Sequence, residues 1–384
     1  MKCIIIKRHW FYINTAKVMN LMNFLSLSFY LLSFILFLQI LNFQTMILVS
    51  GGTGMLGTHL LFDLIKKGKK VRAMKRASSY MDTVKKIFSY YDPHPESIFN
   101  KIEWVDADIL DIESVNAAMK GVEEVYHVAA VVSFRPSDKI KMIKNNVDGT
   151  ANMVNAALEN KITKFCHVSS VAALGVSDDE SPVNEETFRK PDSNYSGYSI
   201  SKYQSEMEVW RGIAEGLNAV IVNPSIILGP GYWRVGSPSL FYNIWKGLKF
   251  YTKGVTGYVD VWDVVKIMES LMESSVNNER YVVSAENLSF KELFDLIADS
   301  INKARPNIFA RPFMINIFWR LEYLRSKFTG SFPIITKEMV SNANSITNYS
   351  SLKIVELLNF RFRTINQSVK DVAAIFNNDF NAGK

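Results

Sequence analysis

The stretch MILVSGGTGMLG, Met46 to Gly57, decides how the chain is read. Ile47 to Ser50 is a short apolar run suited to a buried strand, and HLLFDLIKKG continues with the apolar spacing of a helix. Strand, glycine turn and helix therefore follow in order. Gly51 permits a tight turn, Gly54 lets a pyrophosphate approach the backbone, and Gly57 lets the helix pack on the strand. Phosphates placed there would meet N–H groups at the positive end of a helix. A glycine-rich turn alone is weak evidence; its place between strand and helix gives it weight.

The next strand is VRAMK, Val71 to Lys75, and Arg76 closes it. NAD-binding units usually place an acid at this point for the ribose hydroxyls. No Asp or Glu lies between Leu64 and Met81. Arg76, with Arg72 or Lys75 near it, is suited instead to a 2′-phosphate, because a guanidinium binds phosphate through a planar fork. NADP is the expected cofactor and NAD the alternative. The plain competitor is a solvated basic strand end.

Further stretches recur in order: DADILD with Asp108, YHVAA from Tyr126 to Ala130, NNVDGTANMVNAA from Asn145, KFCHVSS, YSISK with Tyr198 and Lys202, NPS at Asn223 to Ser225, and YVDVWDVV. With Gly51-x-x-Gly54-x-x-Gly57 they make the chain, from Met46 to about Phe376, resemble the extended short-chain dehydrogenase/reductases. This group takes in the NAD-dependent epimerases and dehydratases. The dihydroflavonol reductase and 3β-hydroxysteroid dehydrogenase branch looks most similar. The resemblance implies a doubly wound parallel α/β sheet of Rossmann type with a smaller C-terminal substrate-binding domain. It also implies cofactor contacts from Gly51, Gly54, Met55, Leu56, Gly57, Arg76, Asp108, Ile109, Ala129, Ala130, Tyr198, Lys202 and Pro224. A homodimer through the helices after the fourth and fifth strands is implied in the same way.

The expected chemistry rests on residue types. Tyr198 and Lys202 stand at i and i+4, on one face of a helix, so a cation near the phenol is expected to lower its pKa and ready it for proton exchange. Ser170 would donate to the substrate oxygen as charge develops there, and Ser169 is its alternate. Ser170, Tyr198 and Lys202 are thus the expected catalytic set, with no metal. Tyr-x-x-x-Lys is common on solvated helix faces; the Ser-Ser pair after an apolar strand argues for a site. Relatives of this type often carry Val-Tyr-Gly where this chain has Ala173-Leu174-Gly175. Tyr195 is expected to wall the site, and His127 and His167 to be packed strand residues.

A chain of 384 residues suits one large α/β unit with a smaller second part. We expect a hydrophobic leader over 1–45, a dinucleotide-binding domain over 46–225 and a mainly substrate-binding domain over 226–384. Cys3 and Cys166 offer no disulfide framework. Of the net +7, four basic residues and no acids fall before Met46, leaving 40 basic against 37 acidic residues, which is no nucleic-acid footprint. Residues 21–43 carry no charge and are long enough to span a bilayer. Yet the basic residues before them would send the enzyme across the membrane, away from its cofactor. Met46 is therefore the expected natural start and the cytoplasm the expected location, with a membrane anchor through 21–43 as the alternative. Residues 311–328 mix aromatics with basic residues, which suits domain packing or a membrane surface.

Tyr232, Trp233 and Phe241 are expected either to line an apolar pocket or to be core. Ser289 with Glu292 reads as a capping box. The expected function is NADP(H)-dependent interconversion of a carbonyl and a secondary alcohol on a small organic substrate. A nucleotide-sugar epimerase or dehydratase with tightly held NAD is the alternative, with Arg234 and Arg311 as candidate diphosphate ligands. A cofactor-sensing binding protein without turnover is a third possibility, disfavoured by the presence of Tyr198 and Lys202.

Overall fold

The computed structural model describes residues 45–133, 135–177, 181–190, 195–311 and 345–381. The apolar segment 21–43 and nearly all of 311–328 fall outside them. Among the described residues no helix is long and apolar enough to cross a membrane.

The first half of the chain alternates strand and helix: β1 (Met46–Ser50), α1 (Met55–Lys66), β2 (Lys70–Lys75), α2 (Met81–Ser89), α3 (Pro95–Phe99), β3 (Glu103–Asp106), α4 (Ile112–Met119), β4 (Glu124–His127), α5 (Lys139–Glu159), β5 (Lys164–Val168), α6 (Gly197–Ala214) and β6 (Ala219–Pro224). Then come β7 (Ile226–Leu228), α7 (Ser239–Trp245), β8 (Phe250–Tyr251), β9 (Val255–Asp260), α8 (Val261–Glu273), β10 (Glu279–Val283), β11 (Glu286–Ser289), α9 (Phe290–Ser300), β12 (Ile308–Phe309), α10 (Leu352–Leu358) and α11 (Ile365–Asn381).

Seven strands make one parallel sheet in the order β10-β6-β5-β4-β1-β2-β3. The winding reverses between β1 and β4, which opens a crevice at their C-terminal ends. Period-two alternation explains why both faces are covered. Ile47 and Val49 face one core with Leu60, Leu64, Phe88 and Met268, while Leu48 faces the other with Val115, Met153, Phe165 and Val209. Helices α1, α2 and α8 close the first face; α4, α5 and α6 close the second.

The large sheet draws on both sides of residue 225. Strand β10 pairs with β6, Tyr281 opposite Val222, and α8 packs on α1. Asp260 starts α8 by accepting from the Trp262 N–H. A smaller sheet, β11-β9-β7, buries Tyr258, Phe241, Leu293 and Phe376 with α7, α9 and α11. Trp233 and Phe241 belong to this core, whereas Tyr232 is exposed, so these aromatics do not line a common pocket. The capping box at Ser289 and Glu292 forms in full at the start of α9.

Candidate active site

The glycine turn is built as its sequence requires. Gly51 has φ +72°, and a Cβ there would stand 2.6 Å from the Ala129 backbone nitrogen just beyond β4. At Gly57 a Cβ would stand 2.2 Å from the Gly51 carbonyl oxygen, so the helix rests directly on the turn. Gly54 is different: the nearest atom to an added Cβ is the same oxygen at 3.4 Å. Helix α1 begins there with no side-chain cap and no acid in its first turn, which leaves Met55, Leu56 and Gly57 at an uncapped helix start. The cradle therefore fits a dinucleotide pyrophosphate.

Arg76 is exposed just past the end of β2, where its N–H donates to Ser79 Oγ at 3.0 Å. Its expected helpers are engaged elsewhere. Arg72 pairs with Glu103 (2.8 Å) and donates to the Ala118 and Lys120 carbonyls, while Lys75 pairs with Asp106. Among the described residues, Arg76 itself has no carboxylate partner. Asp108 lies past the end of β3, its carboxylate accepting the Leu110 N–H at 3.0 Å. The Ile109 carbonyl is held by Asn152 at 2.8 Å. The Ala129 N–H faces Ser50 Oγ at 3.3 Å, Ala130 follows it exposed, and Pro224 closes β6 in a buried position.

Ser170 follows β5 and Tyr198 opens α6, whose cap Ser196 accepts the Ser199 N–H at 3.1 Å. The fold brings the two together: Ser170 hydrogen-bonds the Tyr198 phenol. Ser170 Oγ also accepts the Ala172 N–H at 3.2 Å, so its own proton is free to point elsewhere. The alternate, Ser169, is committed to Glu206 at 2.7 Å. Lys202 is buried one turn past Tyr198 and donates to the Val168 carbonyl at 2.8 Å.

The expected lowering of the Tyr198 pKa by its neighbour is corrected here. Burial pushes the phenol above its ordinary value, and the Ser170 hydrogen bond offsets this only in part. Burial also brings the Lys202 ammonium down to about 8, against a smaller opposing pull from Glu206. Spacing puts Lys202 on the same helix face, but its ammonium is engaged with the Val168 carbonyl and desolvation governs the phenol.

The loop after Ser170 is clamped. Ser199 Oγ donates to the Ala172 carbonyl at 2.7 Å, and Arg189 donates to Ser199 at 3.0 Å while its guanidinium lies 3.5 Å from the centre of the Tyr195 ring. Tyr195 thus packs on Arg189. His127 and His167 are buried strand residues side by side in β4 and β5; His127 bridges Ser50 (2.7 Å) and Thr150 (3.0 Å). Sequence reasoning picked out Asn223 within NPS but missed Glu206 and Arg280; the Glu206 carboxylate accepts from both Asn223 and Arg280, and Asn223 also donates to the Ser170 carbonyl. Glu206 at i+8 from Tyr198 was the available sign.

The family model described as "NAD dependent epimerase/dehydratase family" matches residues 47–284. The chain belongs to this family. Sterol demethylase protein B of Methylococcus capsulatus is 29% identical over 268 residues, 69% of this chain and 77% of that protein. A putative dihydroflavonol 4-reductase of Synechocystis sp. is 28% identical over 343 residues, 86% of this chain and 94% of that protein. Among solved structures, gox2253 superposes with TM-score 0.71 at 27% identity, over 88% of this chain and 99% of that one. As a member of the NAD dependent epimerase/dehydratase family, the chain is an NAD(P)-dependent enzyme of the extended short-chain dehydrogenase/reductase type with a Rossmann-like sheet.

Proposed function

We propose that this enzyme is an NADP(H)-dependent oxidoreductase interconverting a carbonyl and a secondary alcohol on a small organic substrate. The Ser170 to Tyr198 hydrogen bond, with Lys202 one turn further along α6, carries the reading. The name of the Synechocystis relative, which covers most of this chain, supports reduction over epimerisation. Gly51, Gly54, Met55, Leu56 and Gly57 would hold the pyrophosphate, Arg76 the 2′-phosphate, Asp108 and Ile109 the adenosine end, and Ala129, Ala130, Pro224 and Lys202 the nicotinamide half. When bound, the cofactor supplies a hydride.

The proton chemistry is the chain's own. A phenol held above its ordinary value keeps its proton at neutral pH, and that is the form a reduction needs. Tyr198 gives this proton to the carbonyl oxygen. Ser170 turns its hydroxyl proton to the same oxygen, where negative charge grows, and so lowers the barrier. Lys202, charged below about 8, favours the phenolate left on Tyr198. The sign for pH follows: the reduction rate holds through neutrality and falls as pH rises past about 8, where Lys202 loses its charge. A rate that keeps climbing through the alkaline range would remove the ammonium from the mechanism.

The first test is a fluorescence titration of the full chain with NADPH and NADH side by side. Saturable binding that favours NADPH is expected. Arg76→Ala should weaken NADPH about 10- to 100-fold, the range for losing a charged hydrogen-bonding group, and leave NADH unchanged. A preference for NADH would overturn the role of Arg76. Retention of NAD through purification would favour the epimerase chemistry instead.

A further inference from the structure

We propose that Glu206 is a positioning residue for this site: its buried carboxylate ties the ends of β5 and β6 to helix α6 and so sets where Ser170 stands against Tyr198. The inference rests on the reading of Ser170, Tyr198 and Lys202 given above.

Glu206 follows Lys202 by four residues and Tyr198 by eight, so the three share one helix face. Its carboxylate is fully buried, and among the described residues four groups donate to it. Oε2 accepts from Ser169 Oγ at 2.7 Å and Asn223 Nδ2 at 2.8 Å; Oε1 accepts from Arg280 Nη1 at 3.1 Å and Trp210 Nε1 at 3.3 Å. Asn223 Nδ2 also donates to the Ser170 carbonyl at 3.0 Å. One intermediary thus joins the carboxylate to the backbone of Ser170. Arg280, from β10, is fixed on its other side by the Glu185 carbonyl.

A buried carboxylate is costly unless it is paired and hydrogen-bonded, and simple packing between α6 and the sheet would not need one. What the charge supplies is a single acceptor able to hold donors from the residue just past β5, from β6, β10 and α6 together, through bonds stronger than neutral ones. Its second effect is on Lys202. A fixed negative charge one turn away helps the ammonium keep its proton against burial.

Glu206→Gln tests this with the shape kept and the charge removed. The first readout needs no substrate: the ring signal of 13C-labelled tyrosine at Tyr198, assigned with Tyr198→Phe, is expected to shift and to titrate differently. In the holoenzyme, kcat should fall about 10- to 100-fold, the scale of a misplaced catalytic group, while KM and the NADPH Kd change less than about twofold. The alkaline limb of the pH profile should move to lower pH. If Glu206→Gln fails to fold, Ser169→Ala, which removes one donor and keeps the charge, is read by the same signal, with a smaller fall in kcat and an unmoved alkaline limb.

A fixed Tyr198 signal with unchanged kcat overturns the proposal. So does a loss of kcat that merely follows a loss of NADPH binding and of folded protein, for that is a structural role alone. A shifted signal in a protein that reduces no carbonyl keeps the positioning and removes the oxidoreductase reading. A fixed signal in an active reductase removes the positioning alone.

Discussion

Tyr198→Phe is expected to lower the rate of carbonyl reduction by about 10²- to 10⁴-fold, the range that a positioned general acid contributes. The substitution deletes one oxygen and keeps the ring, so the packing at the start of α6 stays. The Ser196 cap, the Ser199 clamp on the Ala172 carbonyl and the Lys202 bond to Val168 involve no phenol oxygen. Folding and NADPH affinity should therefore be preserved, and the loss should fall on kcat. Among the described residues at the site, Ser170 is the hydroxyl left beside the reacting oxygen, and an alcohol is a poor proton donor at neutral pH. The measurement is kcat with NADPH and a series of carbonyl compounds, beside the NADPH Kd of each protein. A variant that turns over at the parent rate would place the proton donor elsewhere, and a variant with unchanged cellular effect would revive the cofactor-sensing alternative.

What was legible in the sequence was local. The strand, glycine turn and helix from Met46 to Lys66 announce themselves because Gly51 and Gly57 are demanded by contacts within that same turn and with Ala129. The capping box at Ser289 is legible for the same reason, since Ser289 and Glu292 satisfy each other three residues apart. Tertiary facts were not. Nothing in ERYVV marks it as the strand beside β6, because that pairing depends on the return crossover through α8. The commitment of Arg72 to the carbonyls of Ala118 and Lys120 joins positions that only the folded sheet brings together. Trp233 and Phe241 show a second limit. An aromatic cluster looks alike in composition whether it lines a cavity or fills a core, and only the arrival of Phe376 from the last helix decides for core. The pKa of Tyr198 failed in a third way: spacing reveals the charge beside a group but not how much water its surroundings remove.

The glycine turn separates stability from ligand binding at two positions three residues apart, and paired substitutions should show it. In Gly57→Ala the new Cβ would meet the Gly51 carbonyl oxygen at 2.2 Å, the Gly51 carbon at 2.8 Å and Gly52 Cα at 2.9 Å. All three are backbone atoms, so no side chain can swing aside. Either α1 lifts from the sheet or the turn deforms, at a cost of about 1–3 kcal/mol, the usual range for overpacking a tight contact. Both distort the helix start at Gly54, so Gly57→Ala should lower the thermal unfolding midpoint and weaken NADPH together. Gly54→Ala should part the two effects. Its backbone, φ −83° and ψ 167°, suits any residue, and its Cβ meets only one atom, at ordinary contact distance. The protein without cofactor should be as stable as the parent or gain up to about 1 kcal/mol from a stiffer unfolded chain. The methyl group would nevertheless stand at the uncapped start of α1, where the pyrophosphate must approach, and NADPH should bind at least about tenfold more weakly. Calorimetric unfolding without cofactor and fluorescence titration with it read the two quantities separately. Equal NADPH affinity in Gly54→Ala and the parent would mean that the phosphates do not sit over this helix start.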